Sequence, residues 1–279
     1  MSKFHALLAV ASCAASLLIS CSGNSQKELA MQFIQQADTA IAVADYNYAL
    51  QLLDTLKAKY PEEIDVQRQA MHMRPIAIEG ISIRQLEETD SLQAMYAYKT
   101  DSLMSYFRLN HNAELGSDYD YYIIKELKNA DIFGKTGIQG RVSPSGEFTV
   151  ISSLAGPSVK HTKIGLVAPN GVTVETADIS YDGERNYRSS GTETITFIGA
   201  ECDTLGQVLS ANPGQKFKLN FIGAKNYSIG LAPSDRRSVE LAWQLAYCIN
   251  QKNKLAQQRQ FYERQLALAR DQIARTTAD

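Results

Sequence analysis

The chain carries no excess of either charge. Its 279 residues hold 28 Lys and Arg against 30 Asp and Glu, a formal net charge of -2. A nucleic-acid binder needs a basic surface to displace counterions, so that class of partner is not expected. Charged residues make up only 21% and hydrophobic residues 44%, which excludes a wholly disordered chain. Beyond the amino-terminal segment no run of about eighteen uncharged apolar residues occurs, so a polytopic membrane protein is excluded. Chemistry is sparse as well. The four histidines, His5, His72, His111 and His161, are widely separated, and no Cys-x-x-Cys occurs. No metal site and no cofactor is expected from that spacing. Gly134-Lys135-Thr136 matches the end of a phosphate loop, but Asn129 stands where its first glycine belongs and a strand pattern follows. Lys135-Thr136-Gly137 matches a motif of penicillin-binding enzymes, yet Ser-x-x-Lys and Gly-x-Ser-x-Gly are both absent. The sequence thus points away from an enzyme.

What is present begins with an address. Lys3 supplies a short positive region, and residues 6–20 run uncharged and rich in Ala, Leu and Val. That is the length of a signal h-region and short for a bilayer span. It ends Leu18-Ile19-Ser20-Cys21, which resembles the lipobox of bacterial lipoproteins. The resemblance implies cleavage before Cys21, acylation of its thiol and attachment to a membrane. Two or three acyl chains hold firmly, since each buried methylene contributes about 0.8 kcal/mol. Ser22, not Asp, follows the cysteine, and no acidic run follows either. The expected location is therefore the cell envelope, at the outer membrane and facing the periplasm. Of four cysteines, Cys202 and Cys248 remain as a disulfide pair or as two buried thiols.

Residues 21–26 read as a lipidated tether after a signal peptide over 1–20. Helical periodicity follows over 27–44, breaks at Asp45-Tyr46-Asn47, and resumes over 48–59 until Tyr60-Pro61. Phe33, Ala37, Ala49, Leu53, Leu56 and Pro61 fall at positions that resemble a single tetratricopeptide repeat, with departures at Gln36 and Ala40. The resemblance implies an antiparallel helical hairpin over 27–74. One repeat alone cannot build the peptide-binding groove of the longer arrays. Pro75 is expected to interrupt the next helix. A long helix and a hinge then occupy 75–133. Within them Thr89-Asp90-Ser91-Leu92 and Thr100-Asp101-Ser102-Leu103 form an eleven-residue echo that places Leu92 and Leu103 on one face. Asp118 to Tyr122 form a polar-aromatic cluster, read as the hinge, and Tyr121-Tyr122-Ile123-Ile124 suits helix or strand.

From Gly134 the period becomes two. Turns are expected at Pro144-Ser145-Gly146, Asn170-Gly171 and Asp182-Gly183. Residues 134–232 read as an antiparallel β-sandwich of seven or eight strands, interrupted by a helix over 204–210 that Asp203 caps. The last helix spans 233–279, with Ser234 or Asp235 as its cap. Leu241, Leu245, Cys248, Lys252, Leu255, Arg259, Tyr262, Leu266, Ala269 and Ile273 alternate by four and three, a coiled-coil seam. Its partner is either the helix before the sheets or the same helix of a second copy. The fold class expected is α+β: a helical hairpin plus a long antiparallel coiled-coil stalk with an inserted β-sandwich.

One loop stands out as a contact surface. Tyr181, Arg185, Asn186, Tyr187 and Arg188 mix aromatic bodies with guanidinium groups that can bind carboxylates or sugar hydroxyls. Trp243, the only tryptophan, falls outside the seam and reads as core. The function expected is a lipid-anchored scaffold or recognition module for another envelope protein; the alternative is a carbohydrate- or peptidoglycan-binding module.

Overall fold

A computed structural model describes residues 22–111 and 120–277. The signal segment and Cys21 lie outside the described residues, as do Asp118 and Tyr119. The chain divides into two compact units, residues 1–88 with 260–279, and residues 89–259. Two long helices, α3 (Ile64–Met104) and α5 (Pro233–Thr276), contribute to both.

The first unit contains α1 (Ser22–Ala42), α2 (Tyr46–Lys59), the first part of α3 and the end of α5. Ala44 takes the left-handed conformation at the corner, and the Asp45 carboxylate caps α2 by accepting from the Tyr48 N–H. Ala30, Ile34 and Ala37 of α1 bury against Leu52, Leu53 and Leu56 of α2 and against Val66 and Ala70 of α3. Phe33 packs on Tyr60, ring centroids 5.9 Å apart. Pro75 does not interrupt α3, contrary to the expectation from sequence. A mid-helix proline costs about 3 kcal/mol through its missing N–H and ring clash. Here the ring is buried two residues before the fully buried Ala77, and Met71, whose carbonyl loses its donor, is exposed. Arg270 of α5 pairs with Glu79 of α3 at 2.8 Å.

In the second unit α3 ends at Met104, and strands begin before residue 134: β1 (Phe107–Asn110) and β2 (Tyr121–Ile124). The Tyr-Tyr-Ile-Ile run is a strand because both Ile123 and Ile124 are buried, one on each side. Then come β3 (Gly137–Val142), β4 (Phe148–Ala155), β5 (Lys163–Val167), β6 (Thr173–Glu175), β7 (Asn186–Ser189), β8 (Thr192–Ile198), α4 (Asp203–Ala211), β9 (Lys218–Ile222) and β10 (Asn226–Gly230). A six-stranded sheet has the order β1-β2-β3-β4-β8-β7, and a four-stranded sheet the order β10-β9-β5-β6. Every neighbouring pair is antiparallel. The fold is α+β.

Two expected hairpins occur, at residues 143–147 and 168–172. The third lies elsewhere. Residues 178–181 form no strand; the Asp182 carboxylate instead accepts from the Glu184 and Asn186 N–H groups and folds the chain into β7. The hairpin is β7–β8, turning at Ser190 and Gly191, whose φ angles of 50° and 73° suit a primed turn. The helix α4 is also capped differently. Asp203 spends its carboxylate on the Trp243 Nε1–H, 2.7 Å away.

The six-stranded sheet, the four-stranded sheet, α4 and the start of α5 share one core. Phe197 and Phe221, from different sheets, are its largest fully buried side chains. The helix α5 starts at Pro233 and lies directly on β3. Asp235 accepts from the Ile138 N–H at 3.1 Å, and the Ser238 hydroxyl accepts from the Gly140 N–H at 2.7 Å. Gly140 is required there, since a Cβ would sit 2.6 Å from the Ser238 carbonyl oxygen. Each of the ten seam positions of α5 is buried or half-buried. Arg259 pairs with Asp90 of α3 at 2.8 Å, and Tyr247 meets Tyr96 edge-on at 6.2 Å. In the echo it is Thr89 and Thr100 that are buried, at 4% and 6%, while Leu92 is exposed.

Candidate functional site

The inner face of the six-stranded sheet carries a polar cluster. Glu193 shares its side of β8 with Ile195 and Phe197, so alternation drives its carboxylate inwards. There Oε1 accepts from the Val159 and Lys160 N–H groups at 2.9 and 2.7 Å. Oε2 accepts from the His161 N–H at 2.9 Å and lies 2.8 Å from His161 Nδ1. Since a carboxylate only accepts, Nδ1 carries the ring proton. Nε2 is then the acceptor for the Ser152 hydroxyl, 3.0 Å away. Burial opposes the charge on Glu193, but the hydrogen bonds from His161 and from the Lys160 and His161 N–H groups outweigh it and hold its carboxyl below the ordinary value. Burial dominates at His161 and pushes the imidazole down, against the pull of Glu193, so the ring is neutral.

Ser, His and Glu in that order form the relay of acyl-transfer enzymes. Here Ser152 and His161 have no exposed surface. A substrate carbonyl cannot reach the hydroxyl in this conformation. What the relay does is hold a turn. Three successive N–H groups, 159 to 161, converge on one carboxylate, and Lys160 is held at a φ of +53°.

The loop singled out in sequence lies beside this cluster, and its five residues are divided. Asn186 is fully buried and donates to the His161 and Ile179 carbonyls. Arg185 is engaged by Glu201 and by the Thr196 carbonyl. Tyr187 stacks on Phe133, centroids 6.3 Å apart. Tyr181 is exposed, and the Arg188 guanidinium lies over its ring at 4.6 Å.

A second feature is an aromatic groove. Trp243 and Tyr247, four residues apart on α5, stack at 5.6 Å and 21°. Trp243 is half-buried rather than core. A cavity of about 550 Å³ opens beside the pair, lined also by Phe148, Asp203, Thr204 and Asn250. Another of about 330 Å³ is lined by Tyr96, Tyr98, Lys99, Leu103, Trp243 and Tyr247. Gly206 makes room for the indole, because a Cβ there would meet it at 2.3 Å. Trp243 thus stacks on Tyr247 and passes close to Gly206.

Cys202 and Cys248 are both free and buried. Burial pushes the Cys202 thiol up to about 12 and raises Cys248 as well. Among the described residues no three His, Cys, Asp or Glu side chains are placed to hold a metal, and no helix is long and apolar enough to cross a membrane. The chain matches no protein-family model, no curated protein and no solved structure.

The relay could have been suspected from Glu193 itself, an acid in phase with two buried apolar residues. Its partners, at 152 and 161, carry no motif. The groove had one signal, the 243/247 spacing of two aromatics on a helix.

Proposed function

We propose that the chain is a lipid-anchored envelope protein, held by acylated Cys21, that acts without catalysis as a scaffold or recognition module. In this reading α3 and α5 form an antiparallel coiled-coil stalk, and the two sheets pack as a sandwich that presents the contact surface. The Arg259–Asp90 and Arg270–Glu79 pairs support the stalk, since later residues of α5 meet earlier residues of α3.

The aromatic groove carries the recognition reading. Its aromatic walls and rim of Asp203, Thr204 and Asn250 combine apolar area with a few polar groups, the composition of binding clefts. A protein segment suits it better than a glycan. Sugar rings stack on open aromatic faces, and the Trp243 ring is already stacked on Tyr247.

Photo-crosslinking residues introduced at Tyr247 and, as a control, at the exposed Val172 of the β5–β6 turn test this in cells of the source. One discrete protein adduct at 247, lost with the substitution Asn250→Arg that fills the groove, is expected. Absence of any adduct, or an adduct unchanged by that substitution, counts against the groove. Palmitate labelling that survives Cys21→Ala would refute the anchor.

A further inference from the structure

Arg188 has an unusual position for a cation. It occupies β7, in register with Glu193 of β8, and its side chain shares a sheet face with the buried Asn186 two residues earlier. Glu193 would be its natural partner. Yet all the oxygens of Glu193 are spent on the Val159, Lys160 and His161 N–H groups and on the His161 ring. Among the described residues no carboxylate pairs with Arg188, and its Nε is buried without an acceptor. An N–H left so has given up water without gaining an acceptor.

The side chain adjoins a space. A cavity of about 220 Å³ lies between the β4–β5 loop and the β7–β8 turn. Arg188 lines it together with the hydroxyl-bearing Ser158, Ser189, Ser190 and Thr192, and with Glu193. The Arg188 Cζ lies 4.6 Å from the centroid of the Tyr181 ring, a cation–π contact that restrains the side chain. A fixed planar fork surrounded by hydroxyl donors matches a carboxylate or a phosphate group. The space is small for a drug-sized ligand, so the group bound is a small oxyanion or the anionic end of a larger molecule.

We infer that this cavity is an oxyanion-binding site anchored by Arg188. The site is separate from the aromatic groove, and neither depends on the other. The charge on Glu193 does not cancel it, because four N–H dipoles already converge on that carboxylate, while His161 beside it is neutral.

The test is a titration of the full chain, followed by the Arg188 Nε–H and the Gly156, Gly191 and Thr192 amide resonances. The probes are sodium acetate, sodium phosphate and, at matched ionic strength, sodium chloride. Saturable shifts confined to these groups are expected with acetate, phosphate or both. A response to acetate alone assigns a carboxylate source, and one to phosphate alone a phosphorylated source. Arg188→Gln is expected to weaken binding at least about tenfold, the loss that follows removal of a charge-assisted hydrogen bond. Arg188→Lys keeps the charge without the fork and is expected to fall between; it also serves if Arg188→Gln does not fold. Shifts that merely track chloride, or that persist in both variants, overturn the inference.

Discussion

Glu193 binds His161 twice through one oxygen, Oε2, which accepts from the backbone N–H at 2.9 Å and from the ring Nδ1–H at 2.8 Å. The acid sits in β8 and the histidine two residues before β5, so the contact ties the two sheets together. It also explains the left-handed Lys160, whose N–H must turn towards the same carboxylate. With both sheets and a strained residue depending on it, this pair should govern how the protein responds to acid.

Acid should destabilise the fold in two steps. His161 titrates lower in the folded chain than in the unfolded chain. The unfolded state therefore binds the extra proton first, and stability falls as pH drops below about 6.5, the unfolded value. Glu193 titrates below its ordinary value, so a second loss follows as pH passes below about 4.3 towards its folded value. Melting temperatures measured from pH 8 to 3 should show both. In His161→Gln the upper step should vanish while the lower remains; an unchanged upper step would show that another group is responsible.

Gly140→Ala should destabilise the second unit by about 1–3 kcal/mol, because the added carbon meets the Ser238 carbonyl and the Val239 Cα, neither of which can swing away. Ser238→Ala should cost about 1–3 kcal/mol by stranding the buried Gly140 N–H. Urea unfolding of each variant measures this. Equal midpoints for variant and parent would mean that α5 does not rest on β3 here.

Neither thiol should react readily while the chain is folded. Cys202, with no exposed surface and its thiol raised to about 12, should resist iodoacetamide until denaturant is added. Cys248 borders the 330 Å³ cavity and should be alkylated sooner. Mass spectrometry of the two peptides after timed alkylation gives the order. Rapid native labelling of Cys202 would contradict its burial.

Leu53→Ala should weaken the helical unit by about 2–5 kcal/mol, since the side chain is 1% exposed among α1 and α2. Amide exchange should quicken in residues 27–59 and stay unaltered in β3, β4 and β8. Uniform quickening across both units would instead mean that they unfold together.

Much of this architecture could be read from pattern. The long α5, the two helices within 27–59 and the Asn170-Gly171 turn each rest on local pattern, and the structure has them. Failures came where a distant contact outweighed a local preference. Pro75 stays inside α3 because its ring finds a buried place. Asp203 leaves the α4 cap because the indole N–H of Trp243, forty residues away, needs an acceptor. Ser190-Gly191 lacks the Asn-Gly or Asp-Gly signature of a hairpin turn, whereas Asp182-Gly183 has it and uses side-chain hydrogen bonds to make a turn without a strand before it. The five-residue loop was legible as a cluster but not as a division of labour. Only the spatial neighbours of Asn186 and Arg188 separate the residue that staples the core from the one whose Nε–H has no acceptor. The relay was invisible, because Ser152, His161 and Glu193 meet only through strand pairing and a loop crossing.

The groove has a consequence for anyone who studies the chain in solution. Its indole is the only one in the sequence, stacked on a phenol and close to a glycine, with its nitrogen tied to Asp203. Intrinsic emission excited at long ultraviolet wavelengths thus arises from a single place, the wall of the cleft. Whatever enters there will alter that light, and the molecule comes with its own gauge already installed.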